Sequence, residues 1–245
     1  MGTWNSIPSS ALVNAIGLSG IDFVIIDAEH GPLNMETAED LVRAAEVTAI
    51  TPMIRVSSNE PHLILRALDI GAHGVQVPHV STKEEAQRVV KSAKYFPLGE
   101  RGYSPLTRAG QYGLRAEGYA QKANESTMVI VHIEGKEGLK NLREIVRVKG
   151  LDVIFIGPYD LSQSLGKPGK LEDPEVLENI RQSIDVIRNA GLACGSFAQE
   201  YRFLEILMDC GVQYLTFSVE AAFIRKAYQD LCEVFNKGKR IIPHA

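Results

Sequence analysis

Seven short apolar runs recur along the chain: DFVIID from Asp22, TPMIRV from Thr51, GVQVP from Gly74, MVIVHIE from Met128, DVIFIG from Asp152, LACGSF from Leu192 and YLTFSV from Tyr214. They are continuously apolar rather than alternating, the pattern of strands covered on both faces. Between them lie stretches with helical periodicity: METAEDLVRAAEVT, PHLILRALDIG, TKEEAQRVVKSAKYF, GLKNLREIVRVKG, DPEVLENIRQSIDVIRNAG and EYRFLEILMDCG. Gly71, Gly150, Gly191 and Gly211 stand where C-caps are expected, and Asp173 with Pro174 reads as an N-cap followed by a first-turn proline.

Strand–helix repetition with right-handed crossovers leaves a closed barrel or an open doubly wound sheet. GTWNSIP near the N-terminus supplies an irregular eighth strand. Eight units in 245 residues fit a (β/α)8 TIM barrel. The open sheet would carry G-x-G-x-x-G after its first strand, and neither that motif nor a P-loop is present. No linker or low-complexity tract interrupts the chain, so residues 1–245 read as a single domain ending in a polar tail, KGKRIIPHA.

Composition narrows the setting. The 45% hydrophobic and 23% charged residues are those of a soluble globular protein, and a net charge of −4 gives no global pull toward nucleic acid or anionic membrane. No apolar run reaches membrane-spanning length, and MGTWNSIPSS lacks a signal peptide's basic flank and apolar stretch. Cys194, Cys210 and Cys232 form no C-x-x-C pair and read as reduced thiols of a cytoplasmic protein.

Barrel chemistry gathers at the C-terminal ends of strands. Polar residues collect there in this chain: Asp27, Glu29 and His30 after the first apolar run, Arg55 after the second, His79 after the third, His132 and Glu134 after the fourth, Asp160 and Ser162 after the fifth. Unpaired buried charges cost several kcal/mol, so these groups pair with one another, a metal or a ligand. Neighbouring strands lie about 4.8 Å apart, which brings Glu134 and Asp160 close enough to need a cation or a proton between them. An oxygen-rich site of that kind suits Mg²⁺ or Mn²⁺. The structural alternative pairs Glu134 with Lys136 and makes Asp160 a helix cap. His30 is either a satisfied structural group or a base, with Asp27 or Asp69 to orient its ring. Arg55 is either a salt-bridge partner of Asp27 or Glu29, or an anchor for developing enolate charge.

The loop Leu98–Gly113, with Arg101 and Arg108, is expected to overhang the barrel mouth as a carboxylate binder or to be a solvated surface loop. A Schiff-base aldolase needs a strand-end lysine inside the barrel. DVIFIG has none, and Lys136 falls beyond Glu134. Any carbon–carbon bond chemistry beside a carbonyl then calls for a metal as electron sink.

FVIIDAEHGP, MIRV, LDIGAHGVQVP, HIEGKEGLKN and DVIFIGPYDLSQSLG together resemble the HpcH/HpaI aldolases, in order from Gly2 past Ser218. The resemblance implies a TIM barrel of the phosphoenolpyruvate/pyruvate type, with the last helix swapped between subunits of a homohexamer built as a dimer of trimers. It implies metal ligands at Glu134 and Asp160, a base at His30, a stabilising arginine at Arg55, and an aspartate at Asp69 that sharpens the histidine. Asp27 matches a supporting acid and Trp4 a tryptophan near the site. The backbone at Gly157, Pro158 and Tyr159 would cradle the pyruvate carboxylate. His132 stands where many members carry a glutamine that touches pyruvate.

The implied activity is that of a lyase: a metal-dependent (Mg²⁺, Mn²⁺ or Co²⁺) aldolase that cleaves a 4-hydroxy-2-oxo acid to pyruvate and an aldehyde through a metal-stabilised pyruvate enolate. Its partners are small keto acids and aldehydes, not nucleic acid or membrane. A CoA-thioester lyase of the malyl- or citryl-CoA type and a catalytically silent keto-acid-binding barrel are the alternatives.

Overall fold

All seven apolar runs form strands, because β-branched side chains pack well on a pleated surface buried on both faces. In the computed structural model, which describes residues 1–239, eight parallel strands close in sequence order: β1 (Gly2–Asn5), β2 (Phe23–Asp27), β3 (Thr51–Arg55), β4 (Gly74–Val77), β5 (Met128–Ile133), β6 (Val153–Ile156), β7 (Ala193–Ala198) and β8 (Tyr214–Val219). β1 pairs with β8 and completes the barrel. The helices are α1 (Ser10–Gly17), α2 (Met35–Val47), α3 (Pro61–Asp69), α4 (Lys83–Ala93), α5 (Tyr119–Ser126), α6 (Lys136–Ile145), α7 (Pro158–Ser164), α8 (Pro174–Asn189), α9 (Tyr201–Asp209) and α10 (Glu220–Lys239).

Strand alternation divides the core in two. Val24, Ile26, Ile54, Val75, Val129, Val131, Ile154 and Ile156 face outward and pack under the helices. Trp4, Phe23, Ile25, Met53, Ile130, Val153, Phe155 and Tyr214 fill the barrel interior. Continuing the inward parity puts Asp27, Arg55, Gln76, His132, Glu134 and Thr216 inside as well. The site is therefore the upper part of the barrel filling.

Local signals set the helix ends. Asp173 caps α8 by accepting from the Glu175 amide at 2.9 Å, as expected, and Thr82 with Glu85 forms a capping box on α4. Gly71, Gly191 and Gly211 follow α3, α8 and α9 with positive φ. Three expectations change. Gly150 does not cap α6, which ends at Ile145; its φ of +93° serves a later turn. The Leu98–Gly113 loop follows α4, not β4, so it lies beneath the barrel rather than over its mouth. The expected polar tail is in part helix: α10 runs through Lys239, and residues 240–245 lie outside the described residues. The short helices α1, α5 and α7 had no clear periodic signal.

Two glycine-to-alanine changes should separate backbone strain from crowding. At Gly191 (φ +80°) a Cβ meets nothing within 4 Å, so Gly191→Ala should cost only about 1 kcal/mol. At Gly74 it would lie 2.7 Å from the Met128 carbonyl oxygen on the adjacent strand, so Gly74→Ala should cost about 3 kcal/mol in urea unfolding.

Candidate active site

Asp27 and Arg55 are register partners on β2 and β3, both pointing inward. Arg55 donates from Nε to Asp27 Oδ1 at 2.8 Å and from Nη2 to Oδ2 at 2.6 Å. Its Nη1 lies 2.8 Å from Glu29 Oε2, at an angle that makes an ion pair without a hydrogen bond. The guanidinium also sits 4.3 Å above the Trp4 ring centroid, a cation–π contact in a buried site. Trp4 is held in turn by donating to Thr216 Oγ1 at 3.0 Å. Asp27 Oδ1 also accepts from the amides of Glu29 and His30, at 3.1 and 3.3 Å. One carboxylate thus fixes both the arginine and the turn that carries Glu29 and His30. Arg55 is thus a salt-bridge partner of both carboxylates, and at least one N–H on each terminal nitrogen makes no hydrogen bond within the protein.

Glu134 follows β5 and is not paired with Lys136. Its Oε2 accepts from the His79 amide at 2.9 Å and lies 3.0 Å from His79 Nδ1; its Oε1 lies 3.2 Å from His132 Nδ1. Burial opposes ionisation of Glu134, but hydrogen bonds from His132 and His79 outweigh it and hold the carboxyl well below its ordinary range. Hydrogen bonding to Glu134 pushes His79 up to about 9, against burial, with Glu29 and Asp160 adding attraction. Burial raises the Glu29 carboxyl, against the pull of Arg55 and with repulsion from Glu134. Beneath Glu134 a buried chain continues from His132 Nε2 to Gln76 Oε1 at 2.6 Å, and from Gln76 Nε2 to the Tyr214 hydroxyl at 2.9 Å. His132 stacks on Phe155 with centroids 4.5 Å apart.

Gly157 N-caps the seven-residue helix α7, with Pro158 in its first turn and Asp160 in the same turn. A Cβ on Gly157 would lie 2.7 Å from Glu134 Cγ, so only glycine leaves room for that carboxylate. Asp160 makes no side-chain cap bond, contrary to the structural alternative, and it is exposed beside Tyr159. His30 is exposed on the turn after β2, tied down through its backbone amide rather than its ring.

Asp69 requires a correction. It ends α3, which descends from the top of β3 to the base of β4, so it lies at the opposite end of the barrel from His30. There it bonds Arg101, while Arg108 bonds Glu46 and the Ile70 carbonyl. Within one chain Asp69 does not orient the His30 ring, and Arg101 and Arg108 are not at the mouth.

A family model for HpcH/HpaI aldolase/citrate lyase matches residues 1–226. The chain belongs to the HpcH/HpaI family. It is 37% identical over 240 residues to 2-dehydro-3,6-dideoxy-6-sulfogluconate aldolase of Pseudomonas putida, covering 98% of this chain and 93% of the relative. It is 34% identical over 242 residues to 4-hydroxy-2-oxo-heptane-1,7-dioate aldolase of Shigella flexneri, covering 98% and 90%. Among solved structures, the citrate synthase SbnG superposes with a TM-score of 0.87 at 35% identity, covering 97% of this chain and 94% of that one.

In this HpcH/HpaI chain the strand ends mark Asp27, Arg55, His79, His132 and Glu134 but not Gln76 and Tyr214. The missed signal was inward parity: Gln76 shares the face of Gly74, and Tyr214 that of Thr216. Among the described residues the mouth gathers four carboxylates (Asp27, Glu29, Glu134, Asp160) and the permanent cation Arg55. Such an oxygen-rich, electron-rich donor set fits a hard divalent cation at Glu134 and Asp160. Among the described residues no three His, Cys, Asp or Glu side chains already converge on a metal position.

Removing Asp27 should expose how much the mouth depends on it. Asp27→Ala leaves Arg55 buried with only the poorly aligned Glu29, and should cost about 3 kcal/mol in urea unfolding. A loss below about 1 kcal/mol would show that the pair is not holding the mouth together.

Proposed function

We propose that the protein is a divalent-metal-dependent aldolase that cleaves a 4-hydroxy-2-oxo acid to pyruvate and an aldehyde. The observation that carries this reading is the mouth itself: the buried Glu134 carboxylate is held by His79 and His132, with Asp160 at the start of α7 and Arg55 clamped by Asp27. The relatives named above are aldolases matched over 98% of this chain, which favours a keto acid over a CoA thioester. The chain acts as one domain. Its three cysteines are free, which supports a cytoplasmic setting, and no described helix is long and apolar enough to cross a membrane.

Glu134 and Asp160 would hold the cation, Mg²⁺, Mn²⁺ or Co²⁺, which supplies Lewis-acid charge to the keto oxygen of the substrate. The amides of Tyr159 and Asp160 at the start of α7 receive the pyruvate carboxylate, and Gly157 and Pro158 give it close approach. His30, exposed and placed by the Asp27 turn, takes the C4-hydroxyl proton. The C3–C4 bond then breaks, its electron pair enters the enolate, and the aldehyde leaves. Arg55 meets the enolate oxygen with its two free N–H groups in an orientation already fixed by Asp27, so no reorganisation is needed as charge develops. Protonation at C3 yields pyruvate. His132, locked between Gln76 and Glu134, and Trp4 beneath Arg55 shape the pyruvate pocket.

An exposed face of α10 supports assembly with other copies of the chain. Ile224, Tyr228, Leu231 and Val234 on α10 are 39%, 68%, 63% and 68% exposed, an apolar stripe at helical spacing that a second copy would cover. This supports a homo-oligomer with the last helix exchanged, a hexamer on the family pattern. Asp69 can then sharpen a His30 only at the mouth of another copy.

Pyruvate release from racemic 4-hydroxy-2-oxoheptanedioate should vanish in EDTA-stripped protein and return with Mg²⁺, Mn²⁺ or Co²⁺; no release with any of them, from folded protein, would sink the proposal. Glu134→Ala should abolish metal binding and cleavage together. His30→Ala should bind metal normally and cleave roughly 10²–10⁴-fold more slowly. A double substitution, Ile224→Asp with Leu231→Asp, should shift the sedimentation coefficient to that of a smaller species.

A further inference from the structure

Beyond the two carboxylates, the geometry points to His79 as a third, nitrogen ligand of the cation, making this a mixed oxygen–nitrogen site; the inference rests on the metal-dependent reading above. His79 Nδ1 lies 3.0 Å from Glu134 Oε2. Two donors bound at about 2.1 Å and at right angles to one metal are about 3.0 Å apart, so this contact already has the length of one edge of an octahedral site. The backbone favours that placement. His79 has a φ of +55°, in the left-handed region, and its own amide donates to the same Oε2. That leaves the second lone pair of Oε2 facing the imidazole.

The far side of the ring supports the same role. His79 Nε2 lies 3.3 Å from Glu29 Oε1. A ligating histidine characteristically donates its other N–H to a carboxylate, which fixes the tautomer and strengthens the donor nitrogen. Glu29 in turn is fixed by Arg55 on one side and by the Asp27 turn through its amide. The sequence Glu29, His79, Glu134 therefore forms a carboxylate–imidazole–ligand chain with Nδ1 as the metal-facing atom. Asp160, exposed in the first turn of α7, is close enough to act electrostatically on His79.

His132 has the other part. Its Nε2 is taken by Gln76 and its Nδ1 faces Oε1 of Glu134. It holds the oxygen that the metal does not use. The outcome is a site with a stronger preference for borderline ions than two carboxylates alone would show, because an imidazole donor favours Co²⁺ over Mg²⁺.

The test uses the full-length protein stripped of metal. Mn²⁺ bound to the native protein should show ¹⁴N electron spin-echo modulation from a directly bound imidazole, and this should be lost in His79→Ala. The second variant, His79→Gly, suits the left-handed backbone and guards against a folding defect. By calorimetry, Co²⁺ affinity should fall tenfold or more in either variant, Mg²⁺ affinity by less than about threefold, and Glu29→Gln should weaken Co²⁺ about tenfold. Mn²⁺ that binds without a ¹⁴N signal would overturn the inference and leave the aldolase reading standing. A signal that persists in both His79 variants would assign His132 instead and overturn it equally. A native protein that binds none of these ions would overturn both.

Discussion

A closed eight-stranded barrel has room inside for one side chain from each inward strand position, and everything else in this molecule follows from that constraint. The lower interior is filled by Phe23, Met53, Ile130, Val153 and Tyr214, whose packing needs no polar partner apart from the Tyr214 hydroxyl. Higher on β2, β3 and β5, and on β4, the alternation delivers Asp27, Arg55, His132 and Gln76. These cannot turn away, because the outward parity belongs to the helices. They must satisfy each other in a low-dielectric space, and they do so through the Asp27–Arg55 pair and the His132–Gln76–Tyr214 chain.

Charge balance is the next consequence. Arg55 is shared by Asp27 and Glu29, so it cannot also neutralise Glu134. Two imidazoles take that role, one on each carboxylate oxygen. An ionised, buried carboxylate held by two imidazoles and one backbone amide is well suited to take up a hard cation. The same arrangement keeps the Arg55 guanidinium from rotating, since Asp27 grips it bidentately and Trp4 lies beneath it.

The two ends of the barrel carry different duties. The strand ends gather the chemistry. The opposite end carries Asp69 and Glu46 on α3 and α2, which pair with Arg101 and Arg108 of the Leu98–Gly113 loop. The exposed apolar face of α10 lies outside both.

Much of this was legible in the chain. Continuous β-branched runs set the barrel, and carboxylates, imidazoles and a guanidinium at their ends marked the mouth, because a local period and the cost of burying charge are properties of short segments. What no segment contains is the pairing between segments. That Arg55 would grip Asp27 depended on the β2–β3 register, and that Glu134 would lie between His79 and His132 depended on the β4–β5 neighbourhood and on a left-handed backbone at His79. Asp69 was placed beside His30 by family pattern, yet the descent of α3 carries it to the far end. Sequence by itself determined which residues are inward, apolar or charged. Only closure of the barrel decided which of them meet, since distances between strands are set by the sheet and not by the chain between them.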